Sequence, residues 1–221
     1  MIEAVIFDID GTLIDSVEGH AQAWDAALRE FGFTPDLQAV RRQIGKGADQ
    51  LLPSFLKPDE IKQVGAAIDD RQSEIFKARH LADVEAFPRV RDLFDQLRRD
   101  GVKCVLGSSG KAADVEQAET IADITGLVDA MATSEDVDRS KPSPDIVQVA
   151  LEKIAPIPAS RCVFVGDTPW DAQAARRAGV IALGIASPVF RDDELRAAGC
   201  QQVVNSIEDL RQAYEQLLNS V

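Results

Sequence analysis

The clearest pattern in the sequence is a series of short apolar runs rich in β-branched residues. Because each run is apolar at consecutive rather than alternate positions, it predicts a strand buried on both faces, as in a parallel sheet covered by helices. Strong runs lie at 4–9, 102–106, 162–165 and 180–185, and weaker ones lie at 129–133 and 202–205. The sequence therefore predicts six strands.

Helical segments separate the runs in the later part of the chain. Pro88 suits a first helical position, and Gly101 lies where a helix commonly ends. Between them, apolar residues recur at helical spacing at Val90, Leu93, Phe94 and Leu97. Ser206 and Asp209 resemble a capping box at the start of a last helix. Alternating strands and helices predict a doubly wound α/β core with a parallel sheet.

The stretch from 16 to 86 breaks this alternation, because it carries only helical periodicity. One predicted face carries His20, Trp24, Ala27, Leu28 and Phe31, and another carries Ile61, Val64, Ile68 and Ile75. This stretch is far longer than a crossover between neighbouring strands requires. We therefore predict a core domain formed by 1–15 and 87–221, with an inserted all-helical domain at 16–86.

Composition and charge narrow the classes of function. The chain has 221 residues, and its 37 acidic against 24 basic residues give a net charge of −13. An acidic field of this size repels nucleic acids and anionic lipids, so neither a nucleic acid nor a membrane is expected as a partner. An anionic small substrate would need a metal ion and local cations to reverse the sign at one place.

The cysteines and the N-terminal residues indicate the compartment. Cys104, Cys162 and Cys200 are widely spaced, with no second Cys or His at ligand spacing, so we interpret them as buried reduced thiols. The acidic N-terminal stretch and the absence of a long apolar run predict no signal peptide and no membrane span. We expect a cytoplasmic protein, either a monomer or a homodimer.

Polar residues suited to catalysis follow four of the predicted strands, at Asp8, Asp10, Ser108, Ser109, Lys141, Asp167 and Asp171. The carboxyl ends of strands are where an open α/β sheet binds its ligands. Each group alone also has a structural explanation, since acids and serines form turns and a lone lysine is usually solvated. Their occurrence together, in this order, favours one site.

This order of motifs resembles that of the haloacid dehalogenase-like hydrolase superfamily over essentially the whole chain. The motifs are Asp-Ile-Asp-Gly-Thr-Leu at 8–13, Lys-Pro-Ser-Pro-Asp at 141–145 and Gly-Asp-Thr-Pro-Trp-Asp at 166–171. The helical insertion resembles the cap domain of subfamily I, and residues 10–16 look like those of phosphoglycolate-phosphatase-like members. The resemblance implies a Rossmann-like core and hydrolysis of a small phosphorylated metabolite.

The resemblance also implies a role for each motif residue. It implies that Asp8, Asp167 and the backbone carbonyl of Asp10 bind Mg²⁺, with Asp171 supporting them directly or through water. A hard cation suits these oxygen ligands and offsets the charge of a phosphate. The resemblance also implies that Lys141, the Ser108 hydroxyl and the Ser109 N–H bind phosphate oxygens.

The implied mechanism has two acids in different protonation states. Asp8 attacks phosphorus to form an aspartyl phosphate, while Asp10 protonates the leaving alkoxide and later activates water. We therefore expect Asp10 to have a raised proton affinity and Asp8 to be ionised. Because the superfamily's dehalogenases lack the second acid of this pair, Asp10 favours phosphorus chemistry.

The inserted domain is expected to select the leaving group, with candidate contacts at His20, Lys46 and Arg71. Asp8, Asp10, Asp15, Ser16, His20 and Trp24 also resemble β-phosphoglucomutase, so a phosphosugar mutase is the alternative function. A second alternative is a receiver module that a partner kinase phosphorylates. The receiver hypothesis leaves the roughly seventy inserted residues without a role, because parallel strands need a crossover of only a dozen or more residues.

Overall fold

The structure is a computed structural model that describes residues 2–218, with side chains described up to Tyr214. Six parallel strands form one sheet in the order β3-β2-β1-β4-β5-β6. Their bounds are β1 Ala4–Phe7, β2 Lys103–Gly107, β3 Ala130–Ala132, β4 Cys162–Gly166, β5 Ile181–Ile185 and β6 Gln202–Val204. All six predicted strands are confirmed, and so is the parallel α/β fold.

Side chains of the central strand alternate between two hydrophobic layers. Val5 and Phe7 pack against α5 (Val90–Arg99), α6 (Ala112–Ile121) and α10 (Ile207–Leu218). Ala4 and Ile6 pack on the opposite face, against α7 (Asp145–Lys153), α8 (Pro169–Arg177) and α9 (Asp192–Ala198). Burial on both faces explains why β1 has no polar position.

Residues between β1 and α5 form helices, as the periodicity predicts, and no strand of the sheet lies among them in the described part of the chain. These are α1 Val17–Glu30, α2 Leu37–Arg41, α3 Ala48–Leu51 and α4 Pro58–Arg79, with short 3-10 helices at Leu52–Ser54 and Leu81–Asp83. They enclose a hydrophobic cluster of their own, which includes Trp24, Leu28, Leu51, Ile68 and Ile75. Two further 3-10 helices, Ser134–Asp136 and Ala159–Arg161, lie in the core.

Two linkers that pair with each other join the helical insertion to the sheet. Ile14 bridges both Asp10 and Ala86, and the Asp15 N–H donates to the Glu85 carbonyl at 2.9 Å. The chain thus leaves and re-enters the core beside the end of β1. We propose that this pair of linkers separates the core (1–15 and 87–221) from a cap (16–86).

Three local predictions differ from the structure. Pro88 precedes the helix, which begins only at Val90, because Arg89 has a left-handed backbone (φ 72°) that no helix accommodates. Phe31 follows the end of α1 and is 37% exposed, so it is not on the buried face. In the predicted capping box, the Ser206 hydroxyl accepts from the Asp209 N–H as expected, but the Asp209 carboxylate accepts from the Asn205 N–H rather than from that of Ser206.

No helix in the described part of the chain is long and apolar enough to cross a membrane. The three cysteines are free and buried, as predicted. Burial raises the pKa of Cys104 and Cys200 to about 12 and that of Cys162 to about 11. All three thiols are therefore protonated near neutral pH.

Candidate active site

The candidate site lies where the order of the strands reverses. The chain proceeds from β1 to β2 on one side of the sheet, and β4 pairs with β1 on the other side. Such a switch point opens a crevice beyond the carboxyl ends of the strands. Asp8 follows β1, Ser108 follows β2 and Asp167 follows β4, so the fold brings these three side chains to one edge.

Lys141 is the cation at the centre of this edge and is fully buried. Its ammonium donates to Asp8 Oδ1 and, at 2.8 Å, to Asp171 Oδ1. Burial opposes the charge of the lysine, but the attraction of Asp171 and Asp8 is larger, so its pKa is raised. Lys141 is therefore a permanent positive charge in the floor of the site.

Asp171 is held by groups on every side. Its Oδ2 accepts from the Thr168 hydroxyl at 2.5 Å and from the Thr168 N–H at 3.1 Å. The Thr168 hydroxyl also accepts from the Asp171 N–H, which caps α8. With Oδ1 bound to Lys141, both oxygens of Asp171 have partners, so this residue orients the lysine.

Asp8, Asp167 and Asp171 form a buried cluster in which one carboxylate oxygen from each residue lies within 4.8 Å of the other two. Burial and the charge of Asp171 raise the pKa of Asp8 to about 8, although Lys141 opposes the shift. Burial and the neighbouring acids Asp8 and Asp171 also raise the pKa of Asp167. Such crowding of carboxylates is favourable only when cations balance it.

The donor atoms of this cluster fit a hard divalent cation. Asp8 Oδ2 is buried and has no hydrogen-bond partner. Asp167 has one weak side-chain donor, the Thr12 hydroxyl at 3.4 Å. Asp8 and Asp167 therefore offer free oxygens, whereas Asp171 would have to give up a partner to bind a metal directly.

Gly11 explains how the first motif and Asp167 approach each other so closely. Its φ of +81° is in the left-handed region, and a Cβ at this position would overlap the Asp167 carboxylate. Glycine at position 11 is therefore required on two grounds, the turn itself and the contact with the acid.

Asp10 lies at the boundary between core and cap. Its Oδ1 accepts from the Ser16 hydroxyl at 2.5 Å and lies 3.3 Å from His20 Nε2. Burial opposes ionisation of Asp10, but His20 and Ser16 outweigh it and lower the pKa to about 2. Without a bound cation, Asp8 rather than Asp10 has the raised pKa, which is the reverse of the expected order. Burial and Asp171 act on Asp8, whereas the insertion supplies His20 and Ser16 as partners to Asp10.

His20 is itself fixed by the cap helices. Its ring stacks on Phe76 with centroids 3.7 Å apart, and Gln72 Nε2 lies 3.2 Å from Nδ1. Phe76 and Gln72 both belong to α4. A movement of this helix would therefore change the hydrogen bonding of Asp10.

Ser108 and Ser109 line the cavity beside Asp8 and Asp10. Ser108 is buried, and its hydroxyl accepts from the Gly110 N–H at 3.0 Å. The Ser109 hydroxyl donates to the Gly45 carbonyl at 3.1 Å. The second serine thus connects the floor to the cap.

Residues 42–49, which we call the cap loop, form the roof of the site. Asp49 accepts from both the hydroxyl and the N–H of Ser140, the latter at 3.1 Å, and Ser140 Oγ accepts from the Gly47 N–H at 2.9 Å. Sequence reasoning missed Asp49 and Ser140, because neither belongs to a periodic face. The only available signal was the position of Ser140 immediately before Lys141.

The predicted cap contacts differ in where they lie. His20 and Lys46 line the cavity, and the Lys46 ammonium is 3.9 Å from the centre of the Trp170 ring and donates to Gln43 at 2.6 Å. Arg71 does not line the cavity and pairs with Glu30 and Glu74 on the surface of the insertion. The prediction that Arg71 contacts substrate is therefore not carried further.

A single cavity of about 320 Å³ joins the floor and the roof. Its size is at the lower end of the range for small-molecule sites, roughly 300–1,000 Å³. Asp8, Asp10, the two serines and residues 44–49 of the cap loop line it, whereas Lys141, Asp167 and Asp171 are buried and do not. The arrangement can therefore enclose a small anionic group beside the end of β1.

Comparisons with known proteins agree with this geometry. Residues 2–179 match the family model of the haloacid dehalogenase-like hydrolases. The chain is 30% identical to a phosphoglycolate phosphatase of Pseudomonas putida, over 92% of this chain and 81% of the relative. It is 28% identical to a probable phosphatase, IndB, of Dickeya dadantii, over 97% and 94% of the two chains. A crystal structure of a hydrolase from Pseudomonas syringae superimposes with a TM-score of 0.88 at 26% identity, covering 97% of this chain and 98% of the other.

Proposed function

The chain belongs to the haloacid dehalogenase-like hydrolase family, and we propose that this phosphatase is a Mg²⁺-dependent enzyme that hydrolyses a small phosphomonoester through an aspartyl phosphate. The observation that carries the proposal is the Lys141 ammonium between Asp8 and Asp171, beside a free oxygen of Asp8. We do not retain the receiver module as a candidate function, because the family is one of hydrolases and the relatives are named as phosphatases. The cytoplasmic location and the monomeric or dimeric state stay predictions.

We assign the metal site to Asp8, Asp167 and the backbone carbonyl of Asp10, with Asp171 in support. When bound, Mg²⁺ would supply positive charge that offsets the phosphate and lowers the proton affinity of the acids. The buried acid cluster and the unpartnered Asp8 oxygen support this assignment. The oxygen-only donor set favours Mg²⁺ over softer metals.

In the proposed reaction, Asp8 is the nucleophile. Lys141 and the Ser108 and Ser109 groups hold the phosphate oxygens, so that the charge of the site is inverted where the phosphate binds. A bond forms between an Asp8 oxygen and phosphorus while the bond to the leaving oxygen breaks. Water then hydrolyses the acyl phosphate and regenerates the Asp8 carboxylate.

Asp10 is the proposed acid and base of both steps. It gives a proton to the leaving alkoxide and later takes one from the attacking water. Its contacts with His20 and Ser16 stabilise the carboxylate, which is the form that accepts a proton. Donation in the first step requires that these contacts weaken, and we assign this adjustment to a movement of His20, which belongs to the insertion.

The test is turnover of p-nitrophenyl phosphate with Mg²⁺ and after removal of divalent metal by a chelator. We expect many turnovers with metal and loss of activity without it. Asp8→Asn should abolish turnover, because an amide is not a nucleophile, and should preserve the circular dichroism spectrum. Asp95→Asn, a change to an acid that pairs with Arg91 outside the cavity, is the matched control and should keep activity. Retained turnover in Asp8→Asn would show that the nucleophile is wrong.

A phosphosugar mutase is the second candidate, and the contact between His20 Nε2 and Asp10 Oδ1 at 3.3 Å favours it. A mutase must return the phosphate to a second hydroxyl before water reacts, which requires close control of the acid. Incubation with β-glucose 1-phosphate separates the two functions. A mutase forms glucose 6-phosphate, whereas the phosphatase that we propose releases inorganic phosphate.

A further inference from the structure

The outer part of the cavity, beyond the strand-end acids, lies between the cap and α6. We define it by the charged residues that line it: Lys46, Asp49, Asp69, Lys77, Lys111, Asp114 and Asp138. Four of the seven are acidic, and no arginine lines the cavity in the described part of the chain. The outer cavity is therefore slightly acidic, unlike the floor that receives the phosphate.

Two of the three lysines of the outer cavity are paired with acids, and the third has only neutral partners. Lys77 pairs with Asp114 at 2.7 Å, and Lys111 lies 3.8 Å from Asp69 and 3.5 Å from Asp70. Lys46 faces the Trp170 ring and donates to Gln43. Away from Lys46, a second anionic group on a substrate would have to separate one of these ion pairs or lie beside an aspartate.

Much of the remaining wall of the outer cavity is apolar and is formed by Trp24, Phe76, Leu81, Val84, Val115 and Ile121. Uncharged polar side chains, such as Gln72, Ser73 and Gln117, complete it. Trp24, Phe76 and Val115 are buried, so their surfaces are fixed by packing. Such a wall favours an uncharged group, because its apolar part offers an ionised group no hydrogen bond and its polar side chains carry no compensating charge.

We infer that the phosphomonoester substrate carries an uncharged alcohol portion, and that the outer cavity rejects substrates with a second anionic group. This rests on the proposed phosphatase function. The substrate would therefore differ from phosphoglycolate, because the alcohol that leaves from phosphoglycolate bears a carboxylate. Discrimination arises because the second anion meets aspartates and two lysines that are already paired with acids.

The experiment compares matched substrates that differ by one charge in the alcohol portion. Hydroxyethyl phosphate is compared with phosphoglycolate, and glycerol phosphate with phosphoglycerate, each by kcat/KM with Mg²⁺. We expect the uncharged member of each pair to have a kcat/KM higher by about tenfold or more, since contact between like charges opposes binding of the carboxylate member. Equal or higher kcat/KM for the carboxylates would overturn the inference.

The two proposals fail differently. If the proposed function is wrong, p-nitrophenyl phosphate and all four esters are inert. If only the inference is wrong, turnover is present and the carboxylate member of a pair is preferred or equal.

Asp114→Asn tests the source of the discrimination. The variant frees Lys77 from its partner, so kcat/KM for phosphoglycolate relative to hydroxyethyl phosphate should rise by roughly threefold or more. The ratio cancels any effect on closure of the cap that both substrates share. Asp92→Asn is the matched control, because Asp92 is also an acid in the first turn of a helix, pairs with Arg89 and lies outside the cavity. An unchanged ratio in Asp114→Asn, or an equal rise in Asp92→Asn, would contradict the inference.

Discussion

The floor and the roof of the cavity differ in how their charges are held. The floor consists of fully buried acids around Lys141, at the ends of strands that pack on both faces. The roof and rim consist of cap residues whose ion pairs with the core are half exposed, such as Lys77 with Asp114. Buried charges interact strongly and cannot be replaced by water, whereas exposed pairs exchange readily with it. The floor is thus suited to holding the reacting groups in place, and the roof is suited to admitting substrates and selecting among them.

The largest expected effect is at the centre of the floor. Lys141→Met removes the cation and leaves Asp8 and Asp171 buried together, so we expect a loss of about 3–5 kcal/mol in the free energy of unfolding. We also expect kcat to fall by roughly a hundredfold to a thousandfold. Urea unfolding and steady-state turnover measure the two effects.

Lys153→Met is the control for that change. Lys153 pairs with Asp136 at 2.9 Å but is partly exposed, so its loss should cost less than about 1 kcal/mol. Similar losses of stability in the two variants would remove the distinction between buried and exposed charges.

An intermediate effect is expected where the roof meets the floor. A Cβ at Gly45 would lie 2.8 Å from Thr168 Cγ2, and φ is +93°, so Gly45→Ala should displace the cap loop and lower kcat/KM by about tenfold. Gly32→Ala has the same type of backbone (φ +88°) with nothing within 4 Å. It isolates the backbone strain, about 1–2 kcal/mol, from the lost contact. If Gly32→Ala lowers kcat/KM equally, docking of the loop is not the cause.

The smallest expected effect is at the rim. Lys77→Met removes an ion pair between cap and core and should change the free energy of unfolding by less than about 1 kcal/mol. Added salt should reduce the difference from the unchanged protein, because it screens exposed charges. A loss as large as that of Lys141→Met, or one that salt does not reduce, would show that the rim is structurally equivalent to the floor.

The floor could be predicted from the sequence because its residues follow directly from strands. Consecutive apolar residues predict a parallel strand, and the carboxyl ends of parallel strands share one edge. Asp8 and Asp167 lie at this edge for that reason alone. Lys141 is in a loop, and only its family motif indicated that it enters the same site.

The roof could not be predicted in the same way. Helical periodicity identified the cap helices, but their polar faces look alike until the cap packs on the core. Lys46 and Arg71 were both candidates, yet only Lys46 lies at the cavity, and Asp49 gave no signal. The low pKa of Asp10 gave no signal for a related reason, since it depends on the contact of Asp10 with His20 from the insertion.

The hydrogen bonds of Ser140 restrict how such proteins can be recombined. Ser140 belongs to the core and immediately precedes Lys141, yet its hydroxyl and N–H are bound by Asp49 of the insertion. A chimera that grafts a foreign insertion onto this sheet would leave the segment before Lys141 without its acceptor. Asp49, Gly47 and Ser140 therefore have to be exchanged as one unit, although 91 positions separate Asp49 from Ser140.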